Sequence, residues 1–300
     1  MGVKRVLEKY SGAVLLAPYG LLFIIFIVIP IAVAMGLSFT FYNTIQPPRF
    51  IGINNYVNLL TVDTAFMQYV LPKTILFGLV AGVGGYVLSF FLAWSISQLP
   101  SAPRTVLAII IYSPSMTGAI MLQNVWQVVF NGDRSGYLNY ILMQLNIIES
   151  PVVWLQSETA LMPIMIIVTL WSSMGVGFLA ILAGILNGNP ELYEAAYIDG
   201  VKNRFQEILY VTIPSARPQM LFGAVMSIVA TVNASNIGVA LTGYNPTPNN
   251  AGQLIISHIE DFGFRRFEMG YAAALSVVLL IFMRFITVGA NKLFGDKEGE

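Results

Sequence analysis

The 300-residue sequence contains no cysteine and one histidine, and only 10% of its residues are charged. Without cysteine the chain has no thiolate metal ligand and no disulfide. Its cysteine content therefore does not indicate whether it lies in an oxidising or a reducing compartment. Soluble domains carry about 25% charged residues, so this low content argues against a soluble fold. Lysine plus arginine and aspartate plus glutamate are equal at 15 each. The chain therefore has no excess of basic residues that would predict nucleic acid as a partner.

Long apolar stretches take the place of charge. Hydrophobic residues make up 56% of the chain, and the mean hydropathy is +0.73. A membrane-spanning helix needs about 20 apolar residues, and six stretches meet that length, at about 12–41, 73–97, 105–129, 160–186, 219–243 and 270–291. We predict an all-α integral membrane protein with six transmembrane helices, in contact with lipid, forming one transmembrane domain over residues 1–300. The first apolar run exceeds the roughly 7–15 residues of a signal-peptide core, so we expect an uncleaved span.

The distribution of basic residues predicts the orientation. Six spans place both termini on the same side of the membrane. With the N-terminus in the cytoplasm, the inside segments hold Lys4, Arg5, Lys9, Arg104, Lys202, Arg204, Arg217, Lys292 and Lys297. The outside segments hold Arg49, Lys73, Arg134, Arg265 and Arg266. Cytoplasmic loops are enriched in lysine and arginine, so nine against five predicts that both termini and residues 187–218 are cytoplasmic.

The most polar stretch, residues 191–218, lies between the fourth and fifth predicted spans and holds seven of the charged residues. Asn189 followed by Pro190 is typical of a helix start. Gly200 suits the left-handed residue that ends a helix. Asn203, followed three residues later by a glutamine, indicates a second helix start. The pattern predicts two short helices at a turn, forming a compact knob.

The expected surface of this knob suits a partner protein. Ala195 and Ala196 give a shallow face that another surface can approach closely. Tyr193, Tyr197 and Phe205 are the aromatic residue types that anchor interfaces. The alternative is an amphipathic elbow that lies on the membrane surface without a partner.

The order of residues in this stretch resembles the "EAA" loop in permease subunits of bacterial ABC importers. The matching positions are Glu194, Ala195, Ala196, Asp199, Gly200 and Pro214. Val201 departs from the alanine that many members carry there. Segments 50–56 and 270–276 are similar to the corresponding segments of maltose-type carbohydrate permeases. The turn after Thr242 is also similar, although Tyr244 and Asn245 replace the usual paired glycines.

The resemblance implies a permease subunit of a binding-protein-dependent ABC importer in a bacterial cell (inner) membrane, with a carbohydrate, most simply an oligosaccharide, as its solute. It implies that the EAA loop docks onto P-loop ATPase subunits, which would hold ATP and Mg, while this chain carries no cofactor and is not an enzyme. It also implies an extracellular or periplasmic solute-binding protein and a second, homologous permease subunit. Maltose-type systems pair two distinct permeases, so we expect a heterodimer, and a homodimer stays open.

The candidate solute path consists of polar and aromatic residues inside the spans. Uncompensated polar groups are costly in hydrocarbon, so they are expected to face the bundle interior. The candidates are Asn233, Ser235 and Asn236 in the fifth span and Trp171 and Ser172 in the fourth. The resemblance implies that Asn233 and Asn236 align with sugar-contacting positions. The alternative for each is hydrogen bonding between packed helices, which for Gln123 and Gln127 is as good an interpretation as path lining. For Trp171 it is plain packing.

Several motifs are missing from the sequence. The chain has no Gly-Lys pair, hence no G-x-x-x-x-G-K-S/T loop for phosphate. The predicted spans contain no aspartate or glutamate, whereas ion-coupled carriers mark their path with such groups. An ion-coupled secondary carrier is therefore the weaker alternative, as is an integral-membrane enzyme or assembly factor, for which no membrane-embedded catalytic set is found. We interpret His258, Glu260 and Asp261 as a solvated loop face rather than a metal site.

Overall fold

The computed structural model describes residues 15–117 and 119–294, and it is predominantly helical there. Lys4, Arg5, Lys9 and Lys297, on which the predicted orientation partly depends, lie outside the described residues. The helices are α1 Leu15–Leu37, α2 Asn54–Thr61, α3 Phe66–Ser97, α4 Ser101–Met116, α5 Ala119–Val129, α6 Tyr137–Gln144, α7 Leu161–Ser172, α8 Val176–Leu186, α9 Pro190–Ile198, α10 204–215, α11 Arg217–Thr242, α12 Ile255–Glu260 and α13 Met269–Phe294. A hairpin of two strands, β1 Thr40–Phe41 and β2 Arg49–Phe50, follows α1.

Four helices in the described part of the chain are long and apolar enough to cross a membrane: α1, α3, α11 and α13. The pair α7 and α8, bent by 46° at the break between them, makes a fifth candidate. The prediction of a helical, multi-pass membrane protein is thus confirmed at this coarser level. The predicted third span, 105–129, is not one helix: α4 ends at Met116, and Thr117 is extended. Pro114 lies in the last turn of α4 and lacks the N–H of a regular helix.

Two predicted boundaries differ from the structure. The first span ends at Leu37, because residues 40 and 41 belong to β1. The second begins at Phe66, seven residues earlier than predicted, because Pro72 does not start the helix but follows a π-helical turn over Phe66–Val70. In an α-helix a proline ring clashes with the carbonyl four residues earlier. The wider π turn accommodates the ring, so the helix continues through it.

The chain divides into two compact units. The first comprises residues 15–63 and 259–281. In it the Asn55 side-chain amide donates hydrogen bonds to the carbonyls of Ser38 (2.8 Å) and Thr40 (2.9 Å). The Gly270 amide donates to the Tyr42 carbonyl at 3.1 Å, and a side chain at Gly270 would collide with the Thr40 carbonyl oxygen. Segments 50–56 and 270–276, which resemble maltose-type permeases, therefore both hold the residues around β1.

The second unit comprises residues 64–258 and 282–294 and contains two buried apolar clusters. In one of them α8 packs between α3 and α11 through Phe178 and Ile181, which are almost fully buried. The crossing of α8 and α11 is close, because a Cβ on Gly177 would lie 3.1 Å from the Gly223 carbonyl oxygen. A Cβ on Gly184 would lie 2.8 Å from the Gln219 side chain. These glycines let the two helices that flank residues 187–218 run against each other.

Candidate coupling loop and solute cavity

The first helix of the 187–218 segment has both of its predicted ends. The Asn189 side chain accepts a hydrogen bond from the Glu191 amide at 3.0 Å, and Pro190 occupies the first helical position. At the other end Gly200 has φ +96°. The Val201 amide donates to the Ala196 carbonyl at 3.0 Å, and the Gly200 amide donates to the Tyr197 carbonyl at 3.3 Å. This pair of bonds is the Schellman motif, so both end predictions are confirmed.

The second helix begins with the predicted cap. The Asn203 side chain accepts from the Gln206 amide at 2.8 Å. The Gln206 side chain in turn accepts from the Lys202 amide at 2.9 Å, one residue before the position that a standard capping box uses. The two bonds occupy otherwise orphaned amides at the turn between α9 and α10. The turn is therefore fixed by local hydrogen bonds.

A buried carboxylate joins the two helices. Glu207 is only 3% exposed, and it accepts hydrogen bonds from the Tyr197 hydroxyl and from Arg204 Nη1, each at 2.7 Å. Arg204 also donates to the Tyr197 hydroxyl oxygen at 3.3 Å. The hydrogen bond to Glu207 raises the pKa of Tyr197 above its ordinary value, because ionisation would break the bond and place two negative charges together. We call this Tyr197–Glu207–Arg204 set the brace.

The brace changes the interpretation of the aromatic residues. The Tyr197 ring is half exposed, but its hydroxyl is engaged within the segment. Tyr193 is partly buried and its hydroxyl lies 3.4 Å from Thr212 Oγ1. Phe205 is 66% exposed. Of the three predicted interface anchors, Phe205 is the one whose ring is mostly exposed.

A groove of about 620 Å³ lies on the same segment. Four of the six residues that match the EAA pattern line it, and they are Ala195, Ala196, Asp199 and Pro214. Leu192, Tyr210 and Val211 supply apolar walls. Glu194 and Gly200 are not in the wall: Glu194 is exposed, and Gly200 shapes the turn. The groove is mainly apolar and has one carboxylate, Asp199, in its lining.

A second cavity, of about 260 Å³, lies among α3, α4, α8 and α11 and the break between α7 and α8. Its polar lining residues are Tyr86, Ser89, Tyr112, Ser115, Ser172, Ser173, Ser227 and Asn233. None of the residues that line it, all within the described part of the chain, is charged. We call this space the serine cavity. It can offer hydrogen bonds to a neutral solute without a fixed charge nearby.

The structure brings together only some of the predicted path residues. Asn233 and Ser172 line the serine cavity, but Ser235, Asn236 and Trp171 do not. Asn233 ends the α-helical part of α11, and Ala234–Asn236 is a 3-10 turn, so the helical spacing that would align Asn233 with Asn236 is interrupted. Ser235 is buried, and its hydroxyl donates to the Thr231 carbonyl at 3.0 Å.

Two other polar or aromatic candidates have structural contacts. Gln127 Nε2 donates to the Ala240 carbonyl at 2.9 Å and to the Leu241 carbonyl at 3.2 Å. This contact between α5 and α11 favours the helix-bonding interpretation of Gln127. Trp171 meets Trp126 edge to face, with 5.4 Å between ring centroids. That geometry is ordinary aromatic packing.

The sequence interpretation of His258 and Asp261 as a solvated face is wrong. His258 is 4% exposed, and its ring lies 6.0 Å from that of Phe66. Asp261 is 3% exposed and forms an ion pair with Arg266 at 2.7 Å. Burial of a carboxylate requires such a partner. Among the residues that the structure describes, no group of three potential metal-ligating side chains occurs.

Sequence reasoning missed Asn139, which is fully buried in the short helix α6. Its amide nitrogen donates to the carbonyls of Asn131, Asp133 and Val152, and its oxygen accepts from the Val152 amide and Trp154 Nε1. These five bonds, 2.8–3.1 Å long, order residues 131–154. The turn formers around Asn131 mark a loop, but no local signal selects the asparagine that organises it.

A family of proteins described as "Binding-protein-dependent transport system inner membrane component" matches residues 75–292 of the chain. The chain belongs to this family. The match spans α3 to α13 and therefore includes the groove and the serine cavity. The chain is thus a permease component of a binding-protein-dependent transport system, in agreement with the resemblance seen in its sequence.

Individual relatives agree with this assignment. The permease is 29% identical over 297 residues to the "Arabinooligosaccharides transport system permease protein AraP" of Bacillus subtilis (strain 168), covering 98% of this chain and 91% of the relative. Its fold is similar to that of a chain in the crystal structure of a bacterial ABC transporter involved in the import of the acidic polysaccharide alginate, with a TM-score of 0.79 and 23% identity. That match covers 97% of this chain and 96% of the other. A structure of the bacterial alginate ABC transporter in complex with an alginate pentasaccharide-bound periplasmic protein gives a TM-score of 0.80 with 21% identity, over 98% and 97% of the two chains.

Proposed function

We propose that this permease is one half of the membrane pore of an ABC importer and translocates a carbohydrate, most simply an oligosaccharide. The observation that carries the proposal is the pairing of α8 with α11. These helices flank the groove-bearing segment at one end, and both line the serine cavity at the other. Their close glycine crossing makes them a stiff connection between the two sites. AraP, a relative over nearly the whole chain, is an arabino-oligosaccharide permease by name.

In this proposal the groove receives P-loop ATPase subunits, which hold ATP and Mg. Residues 187–218, with Glu194, Ala195, Ala196, Asp199, Gly200 and Pro214, act as the coupling loop. Movement of the ATPases is passed through the braced helices α9 and α10 to α8 and α11. Coupling of this kind needs a rigid element that has two discrete positions. The chain itself has no phosphate-binding loop, so the energy must come from a partner.

The remaining assignments follow the same proposal. The permease has six spans, with α4 and α5 together making the third, and both termini and the coupling loop lie in the cytoplasm. The outer loops meet a solute-binding protein, extracellular or periplasmic. A second permease, homologous but distinct, completes the pore. Asn233 and Ser172 contact the solute in the serine cavity.

Purification of the tagged permease from its native membranes in mild detergent tests the proposal. We expect an ATPase with a P-loop and a second permease among the proteins that mass spectrometry identifies. The chain has no cysteine of its own, so an Ala195→Cys variant then allows cross-linking from the groove alone. Ser101→Cys, an exposed site at the start of α4, is the matched control. We expect an adduct with the ATPase from position 195 and none from position 101.

The contrary result is equally clear. Recovery of the permease alone, even after cross-linking in the membrane, would favour an ion-coupled secondary carrier. In that case an ionophore would abolish uptake, and ATP depletion at a constant ion gradient would not. An adduct with the ATPase from position 101 but not from position 195 would support the importer proposal, but it would show that the ATPase does not bind at the groove.

A further inference from the structure

We propose that the serine cavity selects an uncharged, hydroxyl-rich glycan and rejects glycans that carry carboxylates. This inference rests on the proposed function, in which the cavity is the solute path, and it adds the charge class of the solute. The directions of the hydrogen bonds in the cavity wall support it.

Four serine hydroxyls of the wall donate their protons to backbone carbonyl groups. Ser115 Oγ lies 2.7 Å from the Tyr112 carbonyl oxygen, and Ser173 Oγ lies 2.8 Å from that of Leu170. Ser172 Oγ lies 3.1 Å from the Val168 carbonyl oxygen, and Ser227 Oγ lies 3.1 Å from that of Gly82. A carbonyl oxygen has no proton, so in each pair the serine is the donor. What these serines present to the cavity is therefore lone pairs.

Two lining groups remain able to donate. The Tyr112 hydroxyl and the Asn233 side-chain amide make no hydrogen bond to another residue in the described part of the chain. A hydroxyl both donates and accepts, and an amide does so through its two ends. The remaining two polar lining groups also donate away from the cavity, Ser89 Oγ to Met174 Sδ and the Tyr86 hydroxyl to the Met220 carbonyl, each at 3.3 Å. The wall thus combines six hydroxyls that present lone pairs with two groups that can donate.

A sugar hydroxyl matches this arrangement, because it can donate to a serine oxygen and accept from Tyr112 or Asn233. A carboxylate does not match, because it can only accept. It would face the serine lone pairs, and no arginine, lysine or histidine lines the cavity to compensate its charge. Burial of an ion without a partner is strongly unfavourable. The solved structures of similar fold come from a transporter of an acidic polysaccharide, so we expect this permease to differ from that transporter in charge class.

The direct test is protection of a thiol in the cavity wall. Ser115→Cys is a near-isosteric change in a lining residue, and Ser113→Cys is the control, two residues away on the same helix and outside the lining. The complete complex of permeases and ATPases, without binding protein, is treated with a small maleimide, and labelling of this chain is followed by intact mass. The probes are maltotriose, cellotriose and arabinotriose against trigalacturonate and trimannuronate at equal concentration.

We expect at least one neutral trisaccharide to slow labelling at position 115, and the uronates to need concentrations about 100-fold higher for the same protection. Labelling at position 113 should respond to none of them. Protection by uronates at equal or lower concentration would overturn the charge-class inference and leave the solute path in place. If no saccharide protects position 115 while the complex still imports one of them, the serine cavity is not the path, and the proposed function loses its site.

A charge change in the wall provides a second, independent test. Ser172→Lys places a cation in the wall, and Ser172→Met places a neutral side chain of similar length there. We expect uronates to protect position 115 in the Ser172→Lys background and not in the Ser172→Met background, in complexes that assemble normally by gel filtration. Equal responses to uronates in the two assembled variants would contradict the inference.

Discussion

The Tyr197 hydroxyl donates a 2.7 Å hydrogen bond to the Glu207 carboxylate, and this bond joins the two short helices of residues 187–218, the proposed coupling loop. Glu207 is nearly fully buried, so its charge depends on the two donors that reach it. The two residues lie 10 positions apart in sequence, and their bond spans the turn that Gly200 makes. We therefore expect the two helices to move as one body.

Tyr197→Phe should loosen the coupling loop. The change keeps the ring and removes one of the two donors to Glu207, and hydrogen bonds to charged groups are among the stronger ones. We expect amide exchange in α9 to be about tenfold faster. Tyr210→Phe is the matched control, because the Tyr210 hydroxyl makes no hydrogen bond to another described residue of this loop. Equal exchange in the two variants would show that the brace contributes nothing to loop order.

Gly200→Val should impair coupling between ATP hydrolysis and uptake. The residue has φ +96°, which a β-branched side chain adopts only with strain, although a Cβ at this position would have no atom within 4 Å. The effect must then come from the backbone and not from a clash. We expect ATPase activity to persist while uptake falls by about tenfold or more. The control measurement is the amount of the Gly200→Val permease present in the membrane compared with the unchanged protein.

Gly200→Asn tests whether uptake is lost because of backbone strain at positive φ or because any side chain at this position interferes. Asparagine tolerates positive φ better than other residues with a side chain, and the space around Gly200 is open. We expect Gly200→Asn to retain most of the uptake that Gly200→Val loses. If both variants lose uptake equally, the position is sensitive to any side chain, which indicates that a partner surface lies against it.

The local parts of the coupling loop could be predicted from sequence. Asn189, Gly200 and Asn203 act through bonds to residues two to four positions away, and such patterns are visible in a linear sequence. The bond between Tyr197 and Glu207 could not be predicted in this way, because it depends on the angle that the turn sets. Polar residues at each end of the loop indicate a solvated surface, and no local rule selects which of them becomes buried.

The span boundaries illustrate a second limit. Proline usually begins or ends a helix, yet Pro30, Pro72 and Pro214 each follow a π-helical turn inside a continuing helix. The break at residues 173–175 is equally hard to see, because apolar residues on both sides continue the hydropathy of one span. Ser172, Ser173 and Gly175 stand around this break in the sequence. In the structure they lie at a 46° bend beside the serine cavity.

Gly177→Ala should destabilise the permease and reduce coupling. The added Cβ would lie 3.1 Å from the Gly223 carbonyl oxygen, which is backbone and can move only if α8 and α11 separate. We expect a lower temperature of unfolding and a larger loss of uptake than of ATPase activity. Gly289→Ala is the matched control, because a Cβ there has no atom within 4 Å and alanine favours helix. A fall in the unfolding temperature of the same size in both variants would contradict the role of the close crossing.

Asn139→Ala should disorder residues 131–154, the segment between α5 and α7 that contains α6. The change removes five hydrogen bonds and leaves the indole N–H of Trp154, the amide and carbonyl of Val152, and two further carbonyls without that partner. Each buried polar group left unsatisfied costs about 1–3 kcal/mol, and for a chain of this size about 1 kcal/mol corresponds to roughly 2–4 °C in Tm. We therefore expect Tm to fall by about 5 °C or more, with protease cleavage appearing between residues 131 and 154. Gln144→Ala, on the exposed face of the same helix, is the control. A protease-resistant loop in the Asn139→Ala variant would mean that other contacts hold these residues, and that the asparagine is not the centre of the loop.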